Sequence, residues 1–160
     1  MKAATIVELK QELNLVAPAK LLELCVRLAK YKKENKELLS YLLFEAHDES
    51  AYIQSVKHEM DAQFADINKS NLYFAKKSLR KILRVTNKYI RYTGSKQTEV
   101  ELLLYYIDAL SLSGISMRRN TALTNLYLGQ VKKVTKVIAT LHEDLQYEYL
   151  KKLPPALKGE

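Results

Sequence analysis

Apolar residues recur along most of the chain at steps of three and four, the period of an α-helix, and nowhere alternate as a half-buried strand would. Thr5 followed by Glu8 three positions on has the form of a capping box, so the spacing predicts a short helix over about 6–15. Pro18 suits the first turn of a second helix, to about Tyr31, because the N–H it lacks would have no intrahelical partner there. On that helix Leu21, Leu24, Cys25 and Leu28 share one face and Lys20, Glu23, Arg27 and Lys30 the other. A third helix is predicted over about 35–46, with Leu38, Leu39, Leu42 and Ala46 inward. Asp48 caps a fourth, to about Ile67, whose inward row reads Ile53, Val56, Met60, Phe64 and Ile67.

Ser70 or Asn71 opens a fifth helix that stops before Gly94, and Ser95 or Thr98 caps a sixth. The run from Leu102 to Leu112 is apolar nearly all round, which marks the sixth helix as the central buried one, ended by Gly114. Asn120 caps a seventh, with Leu123, Leu126, Tyr127, Val134, Val137, Ile138 and Leu141 on one face. A last helix runs from Glu143 to Leu153 and halts at Pro154 and Pro155. Short polar links between such helices imply antiparallel neighbours. The expected fold is therefore all-α, a compact array or bundle of about seven to eight antiparallel helices. The succession of helix pairs also admits a short solenoid-like arrangement of the HEAT form. Residues 1–153 read as a single all-helical domain and 154–160 as a flexible C-terminal tail.

Composition agrees with this reading. Four glycines and three prolines are too few turn residues for a sheet-rich chain. The one cysteine, Cys25, has no internal disulfide partner, the first ten residues lack an apolar signal core, and no apolar stretch is long enough to span a bilayer. These features point to a cytoplasmic protein without a transmembrane segment. Set in the middle of an apolar face, Cys25 reads as a small buried hydrophobe.

The stretch LLELCVRLAKYKKENKELLSYLL, Leu21 to Leu43, joins a Leu-rich helix, a charged Lys-Lys-Glu-Asn break and a second Leu-rich helix. It resembles uncharacterised bacterial all-helical domains of unknown function. That resemblance implies a helical fold and assigns no activity, substrate or site residue.

Charge placement adds a functional candidate. The net charge is +8, and the segment from Ile67 to Thr98 supplies the excess, with nine basic residues and no acidic one. Within it Lys77, Lys81, Arg84, Lys88 and Arg91 fall on one helical stripe, opposite Leu72, Leu79, Leu83, Thr86 and Ile90. Tyr73, Tyr89 and Tyr92 flank the charges. The stripe reads as a surface for nucleic-acid phosphates with tyrosines for stacking, as an anionic-membrane surface, as a solvated helix face, or as a face paired with acids on neighbouring helices. Arg118 and Arg119, just before the Asn120 cap, form a second candidate anion site, set against a plain solvated loop.

Other chemistry-bearing residues suggest less. His58 and Asp61 lie three apart on one face, without the third convergent ligand that a metal needs. His47 and His142, at the ends of the third and seventh helices, suit the helix dipole. Asp108 stands out, because Leu104 and Leu112 beside it predict partial burial and a structural pairing with Lys81 or Arg84. With Tyr105 and Tyr106 it is also the best candidate for an acid or base in an enzyme. No catalytic motif, metal site or cofactor is expected. The leading expectation is a non-enzymatic helical binding or scaffold protein that engages another protein or forms a homo-oligomer. The alternative is a nucleic-acid-associated protein that uses the stripe from Lys77 to Arg91.

Overall fold

A computed structural model describes residues 2–117 and 120–153, and the regular structure among them is helical throughout. The fold is all-α, with eight α-helices among the described residues. The chain groups into two compact units, Met1–Phe44 and Glu45–Glu160. The predicted tail, 154–160, lies outside the described residues, as do Arg118 and Arg119.

The first unit holds α1 (Ile6–Asn14), α2 (Pro18–Tyr31) and α3 (Lys33–Ser40). The capping box forms as its sequence predicts. The Glu8 N–H donates to the Thr5 hydroxyl at 3.3 Å, and the Thr5 N–H donates to the Glu8 carboxylate at 2.7 Å. The bond from the Thr5 N–H, and a second from the Thr5 hydroxyl to the same carboxylate at 2.8 Å, hold the Glu8 carboxyl below the usual carboxylate range. Asn35 ties the α2–α3 hairpin by donating from its amide to the Leu28 carbonyl at 2.8 Å.

Two expectations fail in this unit. Tyr41–Glu45 forms a π-helical turn instead of continuing α3. Tyr41 is buried while all of 42–46, Leu42 and Ala46 included, are exposed, so the predicted inward row ends where the π-turn begins. Cys25 is exposed, as is Leu28 beside it on the predicted inward face. The physical reason is size, since three short helices offer too little surface to cover one another's apolar faces.

The second unit is built from α4 (Glu49–Ala65), α5 (Leu72–Thr93), α6 (Lys96–Leu112), α7 (Thr121–Ile138) and α8 (Glu143–Lys152). Asp48, Asn71, Ser95 and Asn120 cap the first four with side-chain oxygens. At the end of α5, Gly94 takes a left-handed φ of 65°, and Gly114 takes 75° just past α6. Both are turns that a side chain would strain. His142 caps the start of α8, where its Nδ1 accepts from the Asp144 N–H at 3.4 Å, and does not close α7.

Helix α6 is the axis of this unit, as its all-round apolarity predicts. Val100, Leu102, Leu103, Leu104, Tyr106, Ile107 and Leu110 are buried along it, and α4, α5 and α7 all pack against it. With three helices packed on α6, the unit is a bundle around a central helix. The Tyr106 hydroxyl is spent inside the core, donating to the Leu79 carbonyl at 3.0 Å, and burial pushes its pKa up. Further out, the Thr98 hydroxyl donates to the Glu49 carboxylate, and the Tyr52 hydroxyl donates to the Tyr89 carbonyl at 3.2 Å.

Candidate functional site

Helix α5 buries Ala75, Leu79, Ile82, Thr86 and Ile90. That row follows helical steps, so the opposite side of the helix faces outward along its whole length. Lys77, Lys81, Arg84 and Arg91 lie on that side and are exposed, together with Arg80. Lys88 is half-buried, its ammonium 4.9 Å from the centroid of the Tyr89 ring. Among the described residues, no carboxylate lies within ion-pair distance of Lys77, Arg80, Lys81, Arg84 or Arg91. Among the described residues, the acids of neighbouring helices leave those five cations unneutralised. Their partners lie elsewhere, with Glu101 beside Lys57 at 3.8 Å and Glu59 accepting the Tyr89 hydroxyl at 2.9 Å.

The C-terminal end of the stripe borders a groove of about 620 Å³ lined by Arg84, Asn87, Arg91, Lys96, Glu99 and Lys133. Glu99 lies 3.1 Å from the ammonium groups of both Lys96 and Lys133, and Lys133 also donates to the Asn87 side-chain oxygen at 2.8 Å. Burial alone would raise the Glu99 carboxyl, but the hydrogen bonds and charges of the two lysines outweigh it and hold the group below its usual range. Among the described residues, Arg84 and Arg91 are therefore the charges of this groove without a carboxylate partner.

The aromatic flank differs from expectation. The Tyr89 hydroxyl is committed to Glu59, and its ring is half-buried, 6.2 Å from that of Tyr92. Tyr73, by contrast, is 65% exposed, and so is half of Phe74, the two rings meeting edge to face at 5.4 Å. Sequence reasoning missed Phe74, because an apolar ring at helical spacing reads as core. Arg118 and Arg119 lie outside the described residues. Next to them, Asn120 takes the Ala122 and Leu123 N–H groups of α7 for itself, at 3.1 and 3.2 Å.

Asp108 is exposed and has no hydrogen bond or ion pair among the described residues, which overturns the expected pairing with Lys81 or Arg84. It lies on the solvent side of α6, at the rim of two shallow grooves, and partial burial raises its pKa. The tyrosines beside it are otherwise engaged. Tyr106 is in the core, and Tyr105 donates to Asp61 at 2.6 Å, a bond that pushes the phenol up to about 12. Tyr149, in the same groove, is pushed up to about 12 by burial and by its bond to Glu101. Exposed His58 and phenol-bound Asp61 remain a surface pair, and among the described residues no three metal-ligating side chains converge.

The other unusual surface is apolar and belongs to the first unit. Among the described residues, thirteen of the twenty exposed large apolar side chains lie in the first 44 positions, among them Ile6, Leu15, Leu22, Val26 and Leu28. Among the described residues of that unit, Tyr41 is the sole buried side chain. No helix among the described residues is long and apolar enough to cross a membrane. Compared with known proteins, the chain matches no family model, no curated relative and no solved structure, so its functional reading rests on these two surfaces.

Proposed function

We propose that this chain is a helical binding protein that engages another polypeptide through the apolar surface of α1 and α2. The observation that carries the reading is the imbalance in the first unit. Leu9, Leu13, Leu21, Leu22, Val26 and Leu28 lie on amphipathic helices, yet all are exposed. Exposed apolar side chains gathered on amphipathic helices mark interaction sites in folded proteins. A helical segment of about 40 residues buries too little surface to stabilise itself, and association supplies the missing burial. A second copy of the chain and a different protein are the two forms such a partner takes.

The test combines hydrogen exchange with sedimentation of the full chain. Amides of α1–α3 should exchange rapidly in dilute protein and become protected as concentration or a bound partner increases. Replacing Leu22 and Val26 by Lys should abolish that protection while the amides of α6 stay slow. Slow exchange of α1–α3 in a strict monomer would mean that the chain covers this surface itself, and the reading would fall.

A further inference from the structure

The outward face of α5 carries more than charge. Tyr73, Lys77, Lys81, Arg84, Lys88 and Arg91 succeed one another at steps of four or three, and Phe74 borders their first turn. An exposed aromatic pair thus stands at the head of a row of cations. At ~1.5 Å rise per residue, the row from Lys77 to Arg91 is ~21 Å long, enough for several successive phosphates. A charged track beside exposed rings is the recurring chemistry of single-stranded nucleic-acid sites, where phosphates follow the cations and bases stack on the rings.

We propose that α5 binds single-stranded nucleic acid, with phosphates along Lys77, Lys81, Arg84 and Arg91 and a base stacked on Tyr73 or Phe74. The other polyanions fit less of the face. An interfacial membrane helix must bury its apolar side in lipid. The apolar side of α5 is already committed to the core through Ala75, Leu79, Ile82, Thr86 and Ile90. An acidic peptide would use the cations and leave the rings idle. A duplex keeps its bases stacked on one another and offers the rings no free base face. The row itself holds Lys and Arg, and the side-chain oxygen of Asn71, beside the rings, is committed to capping the Tyr73 and Phe74 N–H groups, so binding tolerates base sequence. This site is independent of the apolar surface on α1 and α2, and the two readings stand or fall separately.

The experiment is fluorescence anisotropy of the full chain with labelled single-stranded and duplex oligonucleotides of ~20 nucleotides across a salt series. Phosphatidylserine vesicles and polyglutamate serve as competing polyanions. Wild type should bind the single strand most tightly, with log affinity falling against log salt by about 0.7 for each phosphate neutralised. The triple variant Lys77→Gln, Arg84→Gln, Arg91→Gln should bind weakly and lose about 2 from that slope. The double variant Tyr73→Ala, Phe74→Ala should lose roughly tenfold on the single strand and nothing on the duplex. All five positions are on the exposed face, and thermal melts check that each variant folds. Arg91→Gln alone, with a slope change of about 0.7, replaces the triple variant if that one melts early. The proposal is overturned by absent binding at low salt, by a triple variant that binds as wild type does, or by ring substitutions that weaken both nucleic acids equally. Tighter binding to vesicles or polyglutamate than to the single strand overturns it as well.

Discussion

Arg84 should cost the fold stability, and removing its charge should return it. On α5, Arg84 stands four residues from Arg80, three from Lys81 and four from Lys88, so three like-charge pairs converge on it. Each such pair on a helix surface destabilises by ~0.2–0.5 kcal/mol. Among the described residues no carboxylate pairs with Arg84 to offset this. Arg84→Gln keeps helix propensity almost unchanged and retains part of the aliphatic stem. The substitution should therefore stabilise the protein by ~0.6–1.5 kcal/mol at low ionic strength. Near 1 M salt the Debye length shrinks to ~3 Å and the gain should vanish. Urea titrations of wild type and variant at both ionic strengths measure the difference directly. A variant less stable than wild type at low salt, or a gain that survives high salt, would show that Arg84 is held by contacts other than repulsion.

Cys25 should react with a bulky thiol reagent in the native protein as fast as a free thiol does, because it is exposed on α2; labelling that waits for denaturant would show that α2 is covered. Asp108→Ala should change stability by less than about 0.5 kcal/mol, since an exposed side chain without a partner leaves nothing stranded. A loss of several times that in a denaturant titration would reveal a buried pairing. Glu99 has its pKa lowered in the folded state, so its contribution is fully present above the ordinary Glu pKa and fades as pH falls through the folded value. The stability gap between wild type and Glu99→Gln should accordingly narrow between neutral and acid pH, and a gap constant across that range would detach Glu99 from Lys96 and Lys133.

What was legible in the sequence follows from what each signal measures. Caps act within one turn, so Thr5, Asp48 and Asn120 could be read from a few residues and bond as expected, and of the open pairs Ser70 or Asn71 and Ser95 or Thr98 it is Asn71 and Ser95 that cap. The all-round apolarity of α6 was legible for a similar reason, since a helix without a polar side has only the interior to occupy. Amphipathicity is weaker information. It says which face avoids water and is silent on whether the chain provides a cover. Leu79 and Ile90 found one in the second unit, while Leu22 and Leu28 did not find one among three short helices. Cys25 was misread as buried for that reason alone.

Asp108 shows the same limit from the polar side. Leu104 and Leu112 lie one turn away on either side, which suggested an apolar setting, yet Leu112 is itself 86% exposed. A side chain on the solvent rim of a central helix has apolar sequence neighbours and water above it, and only packing separates that case from burial. The stripe on α5 was legible because its position depends on helical phase alone and its excess charge on composition. Whether the cations were neutralised was not legible, because it depends on where α4, α6 and α7 put Glu59, Glu101 and Glu99. Those helices turn each of the three toward a partner off the stripe, to Tyr89, to Lys57 and to Lys96 with Lys133. Among the described residues, no carboxylate then relieves the repulsion between Arg80, Lys81 and Arg84 on α5. The nucleic-acid strand proposed above would relieve that repulsion on binding, so the free energy the stripe withholds from folding would return as affinity.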